Sequence, residues 1–171
     1  MTLLSAVSSE SKQPHVARIT ARDDYETPPR LFNALDAVYD FEVDAAAEEK
    51  NALCDAWFAD ALAADWSIYK RIWCNPPFSN KEAFLQHALK FRNKTAWIVF
   101  LLPNNSRETK WWRSLVTTQA DYVISLVPRV NYFLDGREIK GVPFSSCLAI
   151  YYPRLKSIYY GNAQELTWEW K

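Results

Sequence analysis

Apolar and polar positions divide the chain into an unpatterned start and a patterned remainder. Residues 1–22 are polar, contain several serines and have no period. This predicts a flexible leader, followed by one folded domain over 23–171. The pattern begins with Thr27 as a helix cap, prolines 28 and 29 in the first turn, and Leu31, Leu35 and Val38 at helical spacing. A short strand over 41–43 ending at Asp44 follows, then an Ala- and Glu-rich stretch over 45–56 that predicts a helix; 56–66 fits neither period. Residues 68–74 form an apolar strand, and 81–93 an amphipathic helix with Phe84, Leu85, Ala88 and Leu89 on one face. The unbroken apolar run 95–103 is the pattern of a central strand covered on both faces.

Farther on, 106–119 reads as a helix with Ser106 and Thr109 as caps, and 121–128 and 145–153 as two strands. Between these strands lies a polar stretch holding the turn pair Asp135-Gly136. Strands alternate with helices until that last pair, which reads as a hairpin. The predicted class is α/β, with a mostly parallel sheet and an antiparallel hairpin strand near the C-terminal end. Such sheets bind ligands beyond the carboxyl ends of their strands. Asp44 and Asn75 stand at two such ends and are expected to face one crevice.

Composition narrows the chemistry. Glycine occurs 3 times, at Gly136, Gly141 and Gly161, so no glycine-rich phosphate loop of the usual spacing can form. The 20 basic and 20 acidic residues cancel, so net charge gives no support for a polyanionic partner, and any such site must be a local patch. Acids gather early (Asp40, Glu42, Asp44, Glu48, Glu49) and bases recur later. By charge alone this is a mixed solvated surface, with a basic face in the second half as the alternative. Three dispersed cysteines and two histidines, His15 and His87, provide neither a disulfide framework nor a metal cluster. No run approaches 18 apolar residues. The expectation is a cytoplasmic protein without a metal or a membrane span; oligomeric state is not legible.

The stretch that carries chemistry is Asn75-Pro76-Pro77-Phe78, directly after a strand. Asn75 offers an amide oxygen. Each residue before a proline is held extended, so Asn75 and Pro76 are both restricted. The Pro76 carbonyl cannot be taken up by the next residue, because Pro77 has no N–H. The result is a stiff pair of oxygen acceptors with an aromatic ring beside them. That pair matches a planar amine conjugated to a ring. Accepting both N–H bonds frees the nitrogen lone pair for attack, so placement and electrostatics replace a strong base.

On these residues the chain resembles amino-methyltransferases that use S-adenosylmethionine. Above all it resembles the compact phage-type DNA N6-adenine methyltransferases (the Dam-like family). The resemblance rests on Asn75 to Phe78 and on the order of Tyr25-Glu26-Thr27-Pro28, Asp44-Ala45-Ala46-Ala47, Leu101-Leu102-Pro103 and Pro128-Arg129-Val130-Asn131-Tyr132, over about residues 23–153. It implies a Rossmann-like class I methyltransferase fold. It also implies a cofactor pocket built from Tyr25, Thr27, Pro28, Asp44, Ala45 and Asn75, with Asp44 on the amino group and Asp60 or Asp65 on the ribose or adenine. Asn75, Pro76, Pro77 and Phe78 would be catalytic. Phe78 would stack on an adenine flipped out of double-stranded DNA, with Tyr132 as an opposing wall. Arg107, Lys110, Arg129, Arg137 and Lys140 would meet phosphates. Two features depart from methyltransferases at large: Asp-Ala-Ala-Ala replaces the glycine-rich turn, and there is no large target-recognition domain. Transfer to an RNA adenine or a protein glutamine, or a non-catalytic binding module, stay open as alternatives.

Overall fold

The computed structural model describes residues 23–155 and 161–170; the expected leader 1–22 lies outside the described residues. Its frame is a seven-stranded sheet in the order β2-β1-β3-β4-β8-β5-β9. The strands are β1 (Val43–Asp44), β2 (Ala56–Trp57), β3 (Arg71–Cys74), β4 (Trp97–Pro103), β5 (Tyr122–Val127), β8 (Ser146–Tyr151) and β9 (Gln164–Glu169). All run parallel except β8, which lies antiparallel between β4 and β5. A separate hairpin joins β6 (Phe133–Leu134) to β7 (Arg137–Glu138). Its turn is Asp135-Gly136, both at positive φ (49° and 73°), which glycine adopts without strain.

The apolar run becomes β4, and its side chains alternate between two cores. Ile98, Phe100 and Leu102 join Phe84, Leu85, Trp112 and Val116 on one face. Val99 and Leu101 join Leu31, Phe32, Leu35 and Phe41 on the other. The first face is covered by α2 (Lys81–Phe91) and by a π-helical turn, Trp112–Thr117. The second is covered by α1 (Pro29–Tyr39). Burial on both faces is why β4 carries no polar alternation.

Several local expectations are corrected. In α1 the cap is Pro28 rather than Thr27, without a side-chain bond, and the buried stripe is Leu31, Phe32 and Leu35. Val38 is 74% exposed, because the buried stripe is turned toward Phe32 and leaves Val38 on its outer margin. No helix forms over 45–56. The Asp44 carboxylate accepts from the N–H groups of Ala46 and Leu53, and Asn51 accepts from Glu48 N–H. These bonds fold the loop back on itself, and side-chain-to-backbone bonding overrides the helix propensity of alanine. The 106–119 helix shrinks to one wide turn; Thr109 does cap it, accepting from Trp112 N–H at 3.3 Å. Finally, β9 has no counterpart in the sequence reading. It is an edge strand with mostly exposed residues, so it lacks the apolar run that marks a buried strand.

Candidate functional site

Parallel pairing places the carboxyl ends of β1 and β3 side by side. Asp44 is opposite Trp73, and Ala45 N–H donates to the Trp73 carbonyl at 2.8 Å. Asn75 is one residue beyond β3. The expectation that Asp44 and Asn75 share a crevice therefore follows from strand register. The crevice is about 50 Å³ and is lined by Asp23, Asp24, Tyr25, Glu26, Thr27, Asp44, Ala46, Ala47, Asn51, Leu53 and Asn75.

Asn75 is held in one orientation. Its Nδ2 donates to the Tyr25 carbonyl at 2.9 Å, which fixes amide nitrogen on that side and oxygen on the other. The oxygen, Oδ1, is buried and has no partner among the described residues. A buried acceptor without a donor costs about 1–3 kcal/mol, so it marks a place meant for a donor. The Pro76 carbonyl likewise receives no hydrogen bond from a described residue, whereas Pro77 accepts from Asn80 N–H at 2.9 Å. The double proline thus leaves two neighbouring oxygens uncommitted, because proline removes the local donor.

The 23–28 segment crosses over this loop and is clasped to it. Asp23 accepts from both Ser79 N–H (2.7 Å) and Ser79 Oγ. Those bonds hold its carboxyl below the usual value. Tyr25 stacks on Tyr132 at 5.3 Å and meets Phe78 edge-on at 5.9 Å. Lys81 Nζ donates to the Phe78 carbonyl and sits over the Trp111 ring. Neither the clasp nor Lys81 had a signal in the sequence, since each joins residues by their folded positions.

Asp44 is 5% exposed. Burial raises its carboxyl from 3.8 to about 6, against the lowering effect of the bonds from Ala46 and Leu53. It is a buried acid at the foot of a crevice rich in other acids, an environment suited to a cation.

The remaining predicted residues are Ala45, two acids, two aromatics and five cations. Ala45 is buried under Asp44. Asp60 caps its own turn, accepting from Leu62 and Ala63 N–H. Asp65 does the same for Ser67, ahead of β3 and so at the amino edge, away from the crevice. Tyr132 is fully buried beneath Tyr25, its hydroxyl bonded to Ser146 at 2.9 Å, so it cannot meet DNA in this conformation. Phe78 is 6% exposed, packed among Tyr25, Tyr132 and Phe144. Ring-on-ring packing has taken both aromatics into the core. The predicted cations all follow β4 or β5 in the chain: Arg107 and Lys110 come after β4, Lys110 opening the helical turn, and Arg129, Arg137 and Lys140 come after β5, with Arg137 in β7. Arg107 is engaged by Asn104 and by Glu165 at 3.0 Å, while Lys110, Arg129, Arg137 and Lys140 are exposed.

The family model described as DNA N-6-adenine-methyltransferase (Dam) matches residues 15–145, which include the crevice, its clasp and Asn75 to Phe78. The chain belongs to this family. A Dam-family relative from Escherichia phage T1, named DNA N-6-adenine-methyltransferase, is 28% identical over 121 residues, 68% of this chain and 50% of its own length. Another of that name, from Haemophilus phage HP1 (strain HP1c1), is 29% identical over 121 residues, 64% of this chain and 68% of its own length. The chain thus spans about half the length of the T1 relative. Among the described residues of this Dam-family chain, no helix is long and apolar enough to cross a membrane.

Proposed function

We propose that the protein transfers a methyl group from S-adenosylmethionine to the N6 amine of an adenine in double-stranded DNA, taken out of the stack. The observation that carries this is Asn75 Oδ1, a buried acceptor without a partner, aimed by its own amide nitrogen. The fold reading that goes with it is the Rossmann-like class I methyltransferase sheet. Supporting it are the parallel frame, the single antiparallel strand β8 set between β4 and β5, and a site at the carboxyl ends.

The chain fits the methyl donor. Asp23, Asp24, Glu26 and Asp44 line the crevice, a set of acids suited to a ligand with an ammonium and a sulfonium. An adjoining cavity of about 480 Å³ shares Glu26, Thr27, Asn51 and Leu53 with it, a size in the range of small-molecule sites, about 300–1,000 Å³. Asp44 would hold the ammonium, with Thr27 beside it, and Glu26 and Asp135 would face hydroxyls in the larger cavity; Pro28 and Ala45 line neither hollow. Asp60 and Asp65 line neither the crevice nor the adjoining cavity, each being spent on its own turn. Bound there, S-adenosylmethionine supplies an electrophilic methyl group whose departure leaves a neutral thioether.

Asn75 Oδ1 and the Pro76 carbonyl would accept the two N–H bonds of the adenine amine. This pulls the nitrogen toward a tetrahedral shape and frees its lone pair. As that pair becomes the new N–C bond, the N–H facing Asn75 Oδ1 is the proton released to the crevice. Pro77 keeps the two acceptors from rotating, and Phe78 places a ring edge beside the base. The reaction belongs where phage DNA lies, in the host cytoplasm.

The test is to incubate purified protein with methyl-labelled cofactor and, separately, duplex DNA, RNA and protein. Label is expected in DNA as N6-methyladenine. Label in RNA or protein only would replace the substrate class. Cofactor binding without transfer to any of them would make the chain a binding module.

A further inference from the structure

Three hollows meet around Thr27, Pro28 and Pro29, and their charges differ. Among the described residues, the crevice and the 480 Å³ cavity are lined by carboxylates, with Lys50 their only basic residue. On the other side of the prolines is a groove of about 530 Å³, lined by Pro28, Pro29, Arg30, Pro128, Arg129, Asn131, Phe133, Glu138 and Trp170. It shares Pro29 and Phe133 with the cofactor-sized cavity. Its cations are Arg30 and Arg129, both exposed. Among the described residues its one carboxylate, Glu138, already accepts from Asn131 Nδ2 at 3.0 Å.

Two details set this groove apart from ordinary surface. Arg30 stands in the first turn of α1, which contains no acid. A positive charge there opposes the helix dipole and is the wrong sign for helix stability. Trp170 follows the edge strand β9 and is anchored twice. Its backbone N–H donates to the Val127 carbonyl and its Nε1 to the Pro128 carbonyl, each at 2.9 Å. These bonds fix an indole ring along the groove. Trp170 lies beyond residues 15–145 matched by the family model.

We infer that this groove holds a nucleotide of the DNA strand flanking the target adenine. Arg30 and Arg129 take its phosphate, and its base lies against Trp170 and Phe133. Arginines plus fixed aromatic rings form the surface that single-stranded nucleotides use, and the acidic hollows next door would repel the same strand. The inference rests on the proposed function for its choice of DNA and deepens it by saying where the strand lies.

A fluorescently labelled DNA oligonucleotide carrying an unpaired adenine supplies the test, read by anisotropy so that binding is measured without turnover. Arg30→Ala with Arg129→Ala is expected to weaken binding at least tenfold and to lower the salt slope of log Kd by about 1. Trp170→Ala is expected to weaken it about tenfold. Cofactor affinity and thermal melting should hold in the arginine variant, whose side chains are exposed. Should Trp170→Ala melt early, Arg30→Glu alone carries the charge argument with an intact fold. Unchanged affinity and salt slope in both arginine variants would overturn the groove, even if the wild-type protein methylates DNA. Groove-dependent binding without any methyl transfer would uphold the groove and overturn the proposed reaction instead. Absence of DNA binding by the wild-type protein would overturn both.

Discussion

Replacing Asp44 by Asn separates what the site needs from what the fold prefers. Asp44 is nearly fully buried, and burial lifts its carboxyl from 3.8 to about 6. The folded chain therefore holds a proton over a range where the unfolded chain has lost it. Stability from this group is fully present below pH 3.8 and is lost as pH rises through about 6. At about 1.4 kcal/mol per pH unit, the ionised carboxylate costs the fold close to 3 kcal/mol at pH 8. Asn carries no charge, but it retains a single oxygen. One of the two bonds that Asp44 accepts from Ala46 and Leu53 N–H is lost, at about 1 kcal/mol. The variant should then be about 1–2 kcal/mol more stable than the wild type at pH 8 and slightly less stable at about pH 3.5, where Asp44 is neutral in both states. Urea unfolding at the two pH values reads this crossover. Isothermal calorimetry in parallel should show cofactor affinity reduced at least tenfold, because a buried cation loses its partner. A variant less stable than the wild type by the same amount at both pH values would refute the argument that Asp44 is a strained, desolvated acid.

Other consequences follow from the same geometry. Asn75→Ala should lower the rate of methyl transfer at least about 100-fold while cofactor affinity changes little; single-turnover kinetics beside a binding titration would show both, and activity within a few-fold of wild type would disprove the acceptor role. In the wild-type protein, cofactor affinity should fall as pH drops below about 6, where Asp44 takes up its proton. The clasp cannot cause that loss, since the Ser79 bonds keep the Asp23 carboxyl below its ordinary value. Arg92 is 5% exposed and is bonded to Asp121 and to the carbonyls of Gln119 and Tyr152; Arg92→Ala should cost about 1–3 kcal/mol in urea unfolding, because both carbonyls lose their charged donor while Asp121 keeps its ion pair with Arg154. Tyr132→Phe removes the bond to Ser146 and should cost about 1 kcal/mol of stability with DNA affinity unchanged; a large loss of DNA binding would show that Tyr132 leaves the core when DNA binds.

Features determined along the chain were legible in it. The two-sided burial of β4 is written in nine consecutive residues over 95–103, and the stiffness of Asn75 to Phe78 comes from proline itself, which removes donors whatever surrounds it. Positions where local preference competed with a distant partner were not legible. Alanine-rich 45–56 prefers a helix, yet the Asp44 carboxylate bonds both ends of that loop. Exposed β9 has little hydrophobic signal, yet β5 pairs with it residue by residue.

The site divides in the same way. The residue types at the carboxyl ends of β1 and β3 follow from the sequence, and so does the crevice they share, once the sheet is parallel. Tertiary structure alone decided which way the Asn75 amide faces and so that its oxygen stays without a donor, because the carbonyl that fixes it belongs to Tyr25, 50 residues earlier. It also decided that Tyr132 and Phe78 lie inside, and that Arg30, Arg129 and Trp170 share one groove. A proline restricts its own backbone wherever it stands. Whether a polar atom has a partner, or an acid its water, depends on what the rest of the chain brings within a few ångströms.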